Sequence, residues 1–593
     1  MADKEKQIKV NNAKFSYSDD SSEASLAIKD ISLEVDEGEY VCLIGRNGSG
    51  KSTCARLINV LEQPDDGDVY VFGRNTKDED HFWDIRKNTG CVFQNPDNQI
   101  VGTTVEEDVA FGPENLGIAN PELRETVEAS IKYVGLEKYM LRQSTSLSGG
   151  QKQRLAIAGV LAMKPKILIL DEATAMLSPK VRDEFLSLVS RLIKERNITV
   201  VTITHDMTEA ALCDRVYVLN NGTVSLTGTP NEVFADVKKM RSLGLDSPVH
   251  ARIAYRMLEL TGEAFATEKL NTPRKCFDTI SRLMSKEPKA LVEETKKTNS
   301  ENLIEIKDLS YSYENDGNYA LEGINLEVKK GEILAIVGQS GCGKTTLITH
   351  LNAINRATSG TISYNFDDGT ILCEKKIGRN QIKKIREKVG LVFQYPEHQL
   401  FEESVYKDIA YGPKNMGLSK EEIDKAVNDA VELVGMDKEL LEKNPFELSG
   451  GQKRRVAIAG VVSMKPEVLV LDEPAAGLDP QGRRDMFKMI THLKEQGLTI
   501  VLVSHDMDEV YQYADRVCVM GDGKIVKCDM PECLSEGSVW LRNCGLKQPA
   551  LVTCLAQICR ENHLSDEKRD IVMKARSVKQ ACDILLGDKN ANA

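Results

Sequence analysis

Two glycine-rich stretches of the chain have the spacing of a phosphate-binding loop. They read GRNGSGKST over residues 45–53 and GQSGCGKTT over residues 338–346, and both follow an apolar, strand-like segment. In this pattern backbone N–H groups turn towards phosphate oxygens, and a lysine reaches the terminal phosphates. The residue after the lysine would coordinate Mg²⁺. The alternative, a glycine-rich turn without a ligand, is disfavoured because the pattern occurs twice in this context. The predicted nucleotide contacts are Gly45, Asn47, Gly48, Ser49, Gly50, Lys51, Ser52 and Thr53, and Gly338, Ser340, Gly341, Cys342, Gly343, Lys344, Thr345 and Thr346.

Acidic residues end two further apolar segments, ILILDE and VLVLDE. Asp171 and Asp472 would hold the Mg²⁺ shell, and Glu172 and Glu473 are placed to polarise an attacking water. A solvated Asp-Glu pair at a strand end is the alternative for either copy. Spacing favours the catalytic interpretation, because His205 and His505 follow another apolar segment 34 and 33 residues after the two aspartates. An imidazole at that point could contact a γ-phosphate.

The elements that must position these residues occur twice. Residues 147–179 and 448–480 are identical at 22 of 33 positions, and the matching motifs lie 293 to 301 residues apart, which indicates a duplication. Each half starts with strand-like segments and ends in segments whose sequence pattern predicts helices. The predicted domains are residues 1–230 and 303–530, with helical appendages at 231–302 and 531–593. The charged stretch Ser285 to Asn302 is the predicted linker.

Composition excludes several classes of protein. The formal charge is −13, from 77 basic and 90 acidic residues, which disfavours a general nucleic-acid binder. Apolar runs fall short of the roughly 18 residues that span a bilayer, and the N-terminal residues lack the apolar core of a signal peptide. We therefore expect a cytoplasmic location. The 14 cysteines form no CxxC pair, which indicates reduced thiols and disfavours a zinc site.

The pentapeptide LSGGQ, at residues 147–151 and 448–452, joins the other motifs in an order that resembles the ATP-binding cassette (ABC) ATPases. The resemblance implies an α/β fold with two P-loop ABC nucleotide-binding domains in tandem. Each would carry a helical subdomain and a small helical C-terminal appendage. It also implies an enzyme that binds ATP and Mg²⁺ and hydrolyses ATP to ADP and phosphate.

In that family LSGGQ contacts the γ-phosphate of ATP held by the opposite domain, so the resemblance implies intramolecular pairing and two shared sites. Each phosphate loop with its strand-end acids and histidine would work with the LSGGQ residues of the other half. The family's glutamine loop implies catalytic or Mg²⁺ contacts, and its adenine-stacking aromatic lies about 25 to 28 residues before the phosphate loop. The residues assigned in this way are Ser148, Gly149, Gly150, Gln151, Ser449, Gly450, Gly451 and Gln452, with Gln94, Gln394, Tyr17 and Tyr313.

The segments after the two glutamines, NPDNQIVGTTVEEDVAFGPENLG and YPEHQLFEESVYKDIAYGPKNMG, resemble the paired A-subunits of energy-coupling factor (ECF) importers of vitamins and transition-metal ions. The resemblance implies a peripheral protein on the cytoplasmic face of the membrane. Its partners would be a membrane-embedded T-subunit and a substrate-binding S-component, with no nucleic acid. Eight acids would suit a cationic partner, or form a solvated helix face: Asp97, Glu106, Glu107, Asp108, Glu397, Glu402, Glu403 and Asp408.

Two alternatives stay open. A tandem ABC ATPase acting on ribosomes or nucleic acid would carry a long basic helical linker, whereas residues 230–302 are mixed in charge and contain Pro248, Pro273 and Pro288. The ATPase of a sugar importer is also tandem, but it often loses catalytic residues in one half. One departure from the family pattern concerns Ser178, which stands where the second half has Asp479. Either this serine is a tolerated substitution, or the two sites turn over at unequal rates.

Overall fold

The computed structural model describes residues 6–17, 26–175, 177, 179–290, 301–313, 318–374, 377–394, 396–535 and 538–587. These residues form two compact units, one reaching Met284 and the other comprising most residues from Ser285 onward. Each unit is described by itself. Ser178 and much of the predicted linker lie outside the described residues.

The first unit is built on a mixed ten-stranded sheet. Its strand order is β5-β4-β1-β2-β10-β9-β3-β8-β7-β6. Strands β3, β6, β7, β8 and β9 pair in parallel, while β1, β2, β4 and β5 form an antiparallel flank. The strands are β1 (Lys6–Ser16), β2 (Leu26–Asp36), β3 (Tyr40–Gly45), β4 (Asp66–Val71), β5 (Arg74–Asn75), β6 (Thr89–Val92), β7 (Ile167–Asp171), β8 (Thr199–Ile203), β9 (Arg215–Asn220) and β10 (Thr223–Gly228).

Burial explains the continuous apolar runs in the sequence. All six residues of β3, YVCLIG, are buried, as are all five of β8, since helices cover both faces of a parallel sheet. The helices of the unit are α1 (Lys51–Ile58), α2 (Phe82–Asn88), α3 (Val105–Asn115), α4 (Glu122–Val134), α5 (Gly149–Ala162), α6 (Pro179–Arg196), α7 (Met207–Ala210), α8 (Pro230–Ala235), α9 (Val237–Ser242), α10 (Val249–Leu260) and α11 (Pro273–Leu283). Helices α3, α4 and α5 pack on one another as a helical subdomain, and α10 packs on α11 as an appendage.

The second unit repeats this plan with its sheet in two parts, ordered β12-β11-β14-β15 and β16-β17-β18-β13-β19-β20. The strands are β11 (Asn302–Tyr311), β12 (Leu321–Lys329), β13 (Ile333–Gly338), β14 (Ser359–Phe366), β15 (Gly369–Cys373), β16 (Val389–Val392), β17 (Val468–Asp472), β18 (Thr499–Val503), β19 (Arg516–Gly521) and β20 (Lys524–Asp529). Strand β13 again lies between two parallel neighbours, β18 and β19. Because the ends of parallel strands meet at one edge, the loops after β13, β17 and β18 come together there.

The helices of the second unit follow the same order. They are α12 (Lys344–Leu351), α13 (Arg379–Lys388), α14 (Val405–Asn415), α15 (Lys420–Leu433), α16 (Gly450–Val462), α17 (Pro480–Glu495), α18 (Met507–Tyr513), α19 (Ser538–Asn543), α20 (Ala550–Glu561), α21 (Asp566–Met573) and α22 (Val578–Leu586). Helices α14, α15 and α16 form the helical subdomain, and α20 to α22 form the appendage. No helix in the described part of the chain has the length and apolar content needed to cross a membrane.

Candidate functional site

Each phosphate loop joins a buried central strand to a helix, as its sequence predicts. The first connects β3 to α1 and the second connects β13 to α12. Gly50 and Gly343 cap these helices with φ of +97° and +100°, and a Cβ added there would lie 2.8 Å from Ala27 O and 2.7 Å from Ala320 O. Only glycine fits these positions, which turn the first N–H groups of the helix towards an anion.

The loop lysines are buried at the centre of each loop. Lys51 is 5% exposed and donates from Nζ to the carbonyls of Gly45 and Arg46 at 3.0 and 2.9 Å. Lys344 makes the same pair of bonds to Gly338 and Gln339, both at 2.9 Å. Burial lowers the pKa of Lys51 below its ordinary value. A buried ammonium that donates to loop carbonyls is placed to bind a phosphate oxygen.

A hydroxyl and a carboxylate meet beside each loop. Ser52 Oγ donates to Asp171 Oδ1 at 3.0 Å, and Thr345 Oγ1 donates to Asp472 Oδ2 at 3.3 Å. Burial raises the pKa of Asp171, and burial together with the charge of Glu473 raises the pKa of Asp472 to about 6. Among the described residues no group of three or more His, Cys, Asp or Glu side chains could hold a metal ion. One carboxylate and one hydroxyl fit Mg²⁺ that takes its other ligands from water and phosphate.

The two glutamates after β7 and β17 have backbone geometry that their sequence does not reveal. Glu172 and Glu473 adopt φ of +50° and +48°, the left-handed region that non-glycine residues rarely occupy. Each backbone N–H is held by the adjacent strand, donating to Ile203 O or Val503 O at 3.0 Å. Backbone strain of this kind is typical of functional sites.

The histidines predicted in register do reach the glutamates. His205 Nε2 lies 3.0 Å from Glu172 Oε1, and His505 Nδ1 lies 3.3 Å from Glu473 Oε1. The two rings differ in exposure, with 7% of the His205 side chain and 34% of the His505 side chain accessible. Burial alone would raise the pKa of Glu473, but the hydrogen bond and charge of His505 and the charge of Lys344 hold that pKa below its ordinary value. The carboxylate of Glu473 is therefore ionised at neutral pH.

The glutamine loops start at the end of β6 and β16. Gln394 Nε2 donates to Glu473 Oε2 at 2.9 Å, which brings the glutamine into the same cluster as the glutamate and histidine of the second unit. Gln94 follows β6 at the matching place in the first unit. The contact between glutamine and glutamate, which the sequence did not predict, is seen in the second unit.

Both predicted aromatic residues are exposed beside a phosphate loop. Tyr17 is 57% exposed and Tyr313 is 67% exposed. Their hydroxyls lie 3.2 Å from Thr53 Oγ1 and 3.0 Å from Thr346 Oγ1. A solvent-facing ring tethered to the loop helix could stack against an adenine base.

The LSGGQ segments start helices α5 and α16. Ser148 and Gln151 form a reciprocal capping box, in which Gln151 Oε1 accepts from Ser148 N at 2.9 Å and Ser148 Oγ accepts from Gln151 N at 3.4 Å. Ser449 and Gln452 repeat the arrangement at 3.0 and 3.4 Å. These side chains hold the helix start in shape, a local role that the sequence analysis did not foresee. Gly149, Gly150, Gly450 and Gly451 form the first turns.

Two of the acids expected to meet a cationic partner are structural instead. Asp108 is 8% exposed and accepts from Val101 N and Gly102 N, both at 2.8 Å, and Asp408 does the same for Phe401 N and Glu402 N at 3.2 and 3.4 Å. Burial raises the pKa of both carboxyls. Their hydrogen bonds keep them within the fold, so neither is available to a partner. Two more are already paired, Asp97 with Lys152 at 2.5 Å and Glu397 with the buried Arg454 at 3.4 Å.

A groove of about 950 Å³ lies beside the second glutamine loop. Phe401, Tyr411 and Met464 are among its apolar lining, and basic side chains outnumber acidic ones along it. The basic members are Arg356, Arg379, Lys383 and Arg386. Glu402 and Glu403, two of the acids expected to suit a cationic partner, are not among its lining residues.

Arg454 is a site residue that the sequence analysis missed. It lies on α16, is 4% exposed, and donates from Nη1 to Pro474 O and Ala476 O, both at 2.8 Å. Those carbonyls belong to the loop after Glu473, so the helical subdomain anchors the loop that follows the glutamate. The first unit has Gln153 at this position. In the sequence, Arg454 is marked only by this difference between the two halves, directly after the shared LSGGQK.

Comparison with known proteins finds related sequences for both units. The ABC transporter family model matches residues 28–175 and 321–476. A Caldanaerobacter subterraneus protein named as an ABC transporter ATP-binding protein is 34% identical over 93% of this chain and 96% of its own length. The energy-coupling factor transporter ATP-binding protein of Clostridioides difficile is 52% identical over 42% of this chain and 91% of its own length. A solved structure of CbiO1 from Clostridium perfringens, described as part of an ABC transporter complex, is 38% identical over 44% of this chain and 98% of that chain, with a TM-score of 0.38.

A tandem P-loop ATPase is the class that the fold and these motifs define. The chain belongs to the ABC transporter family, with two domains that bind and hydrolyse ATP. The predicted α/β fold with two ABC domains in tandem is confirmed.

Proposed function

We propose that this ABC ATPase is the energy-coupling subunit of an ECF-type importer, powering uptake of a vitamin or a transition-metal ion through separate membrane subunits. The observation that carries the proposal is a complete set of catalytic groups in both units, joined to 52% identity between part of the chain and an energy-coupling factor ATP-binding protein. The absence of a membrane-crossing helix among the described residues agrees with a peripheral place on the cytoplasmic face of a membrane.

We assign the chemistry to the residues around each phosphate loop. Lys51 and Lys344 hold terminal phosphate oxygens, and Tyr17 and Tyr313 stack on adenine. Mg²⁺, when bound, would neutralise charge on the β- and γ-phosphates. The Ser52–Asp171 and Thr345–Asp472 pairs fit its protein ligands, since each offers a hydroxyl next to a carboxylate.

The glutamates are assigned as the groups that accept a proton from the attacking water. The ionised state of Glu473 supports this role, because a base must be unprotonated to act. His205 and His505 orient the glutamates and contact the γ-phosphate, and Gln394 adds a donor on the other oxygen of Glu473. The first-unit counterpart of that donor would be Gln94.

We infer that the two domains pair within the chain and that each LSGGQ helix completes the site of the other. A helix start with free N–H groups is an anion site, which supports a γ-phosphate contact there. Gly150→Asp and Gly451→Asp place a carboxylate at these helix starts. Each should lower ATP turnover, and the double variant should abolish it. Full turnover by the double variant would contradict the pairing.

For the membrane partners, a T-subunit and an S-component, support comes from the groove beside the second glutamine loop. Its apolar lining suits an amphipathic helix, and its basic rim suits a helix that presents acids there. A cationic helix would instead meet Glu106, Glu107, Glu402 and Glu403. Reversing these four to Lys, compared with reversing Arg379, Lys383 and Arg386 to Glu, identifies which surface binds.

The proposed function is tested by co-purification and by uptake. The tagged chain, expressed with the membrane proteins encoded beside it, should bring down a small multispanning protein. Vesicles containing that complex should take up substrate only with ATP. Lys51→Ala with Lys344→Ala should abolish uptake, while the surface variant Lys9→Ala should not change it.

Uptake that persists in the double lysine variant would refute the mechanism. Recovery of ribosomes or nucleic acid in place of a membrane protein would refute the importer and leave a tandem ABC ATPase of another kind.

A further inference from the structure

Helix α18 starts two residues after His505, so its position determines where that ring lies. The cap residue Asp506 stands between them and accepts from Asp508 N and Glu509 N at 2.9 and 3.2 Å. Asp506 N in turn donates to Ser504 Oγ at 3.1 Å. Since no flexible residue separates the ring from the helix, a shift of α18 would move the His505 ring away from Glu473.

The C-terminal appendage of the second unit contacts both ends of α18. At its start, Asp508 Oδ1 accepts from Ala550 N and Leu551 N at 2.7 and 3.4 Å, which caps α20. At its end, Tyr511, which is 1% exposed, donates from its hydroxyl to Met573 O at 3.1 Å. Both contacts tie the helix after the histidine to the appendage.

Arg576, just before α22, makes the third contact. Its Nε donates to Tyr511 O at 2.9 Å, and its Nη2 donates to Ala514 O. These are carbonyls of the last turn of α18 and the residue after it, groups that a helix leaves without internal partners. A guanidinium at this end also has a favourable interaction with the helix dipole.

The appendage also reaches the second phosphate loop. Gly545, in the segment that leads into α20, has φ of +67°, and a Cβ added there would lie 2.3 Å from Gln339 Cγ. Gln339 is the residue after Gly338 in the loop. One segment of the appendage region therefore lies against the phosphate loop while the appendage holds the helix after the histidine.

The first unit lacks all three side chains. Thr208 stands at the position of Asp508, and Ala211 stands at the position of Tyr511. When the last appendage helices are matched by their caps, Thr272 and Ser577, Asn271 stands at the position of Arg576. Helix α7 is four residues long, whereas α18 has seven.

We propose that Asp508, Tyr511 and Arg576 are positioning residues through which the C-terminal appendage holds His505 against Glu473 and so controls ATP turnover at the second site. The proposal needs only the ATP hydrolysis of the family, and it stands or falls independently of the importer function. The appendage would act as a control element on one of the two sites.

The test uses the purified full chain with Arg576→Gln, Arg576→Lys and, as the matched first-unit control, Asn271→Ala. Arg576→Gln should lower kcat for ATP by up to about twofold, the share of one of two equal sites, with KM changed less. Amide exchange in α18 should become about tenfold faster. Arg576→Lys should recover most of the turnover, and Asn271→Ala should leave it unchanged.

A double-mutant cycle separates positioning from plain stabilisation. In a His505→Ala chain, Arg576→Gln should cause no further loss of turnover, because its effect runs through the histidine. Asp508→Asn, which keeps the accepting oxygen, checks the same contact in a variant that folds easily, and its kcat should lie closer to that of the wild type than to that of Arg576→Gln. Normal turnover in Arg576→Gln, an equal loss in Arg576→Lys, or a further loss in the His505→Ala chain would overturn the proposal.

Discussion

Replacing Arg454 by Ala should destabilise the second unit more than other single changes around its site. The guanidinium donates to Pro474 O and Ala476 O and pairs with Glu397 at 3.4 Å. The variant leaves two carbonyls of the loop after Glu473 without a donor and one carboxylate without a counter-charge. The loop also loses the anchor to α16 that this side chain provides.

The size of the effect follows from burial. Removing one partner of a buried ion pair costs about 3–5 kcal/mol, and hydrogen bonds from charged groups contribute about 1.5–3 kcal/mol each. The Glu397 side chain is 23% exposed and can regain water, which favours the lower end. We expect a loss of about 3 kcal/mol, which lowers Tm by about 6 °C in a unit of this size.

Calorimetry of the full chain measures this, because the two units should give separate transitions and only one should move. Arg454→Gln is the matched variant, since the first unit has Gln153 there, 1% exposed and donating to Phe93 O at 3.3 Å. It should recover about half of the lost stability. ATP turnover should fall in the same order as stability, more in Arg454→Ala than in Arg454→Gln. A Tm change below about 2 °C for Arg454→Ala would refute the reasoning.

Three further substitutions test other contacts described above. Asp108→Ala leaves the N–H groups of Val101 and Gly102 unpaired and should cost about 2–4 kcal/mol of unfolding free energy in denaturant titrations, whereas Glu106→Ala should cost less than about 0.5 kcal/mol. His350 is buried, and burial lowers its pKa, so on acidification the unfolded chain takes up a proton that the native chain does not. Stability should therefore fall as pH drops through about 6.5. Replacing His350 by Leu, the residue found at the matching position Leu57 of the first unit, should make Tm depend less on pH. Tyr313→Ala should raise KM for ATP about tenfold through lost stacking, while Tyr313→Phe should stay near wild type.

The chemistry of the site could be predicted from sequence because each motif constrains it strongly. Only glycine fits the backbone turns at Gly50 and Gly343, so the phosphate loops can be recognised from the sequence. Apolar runs fully buried between helices, such as β3, place the acids and histidines at strand ends. The resemblance to ABC ATPases rested on the order of these motifs, and the family match confirms it.

Other features depend on packing that the sequence does not encode locally. The acids at positions 108 and 408 look like the exposed acids beside them, yet both are buried as acceptors for loop N–H groups. The left-handed backbone of Glu172 and Glu473 arises from the adjacent strand, which holds each N–H. The same reasoning covers Arg454, whose partners lie 20 and 22 residues away along the chain.

The two copies differ around their histidines, and that difference bears on how the two sites could be controlled separately. In the first unit His205 is nearly buried and presents Nε2 to Glu172, whereas His505 is more exposed and presents Nδ1 to Glu473. The lysines assigned to phosphate are alike in both units, each bonded to the matching two loop carbonyls. The two units therefore differ in the elements that position the histidine and the loop after the glutamate. They are alike in the lysine contacts assigned to nucleotide binding. Two sites that bind ATP alike but position their histidines through different contacts would respond differently to a signal that reaches the appendage of one of them.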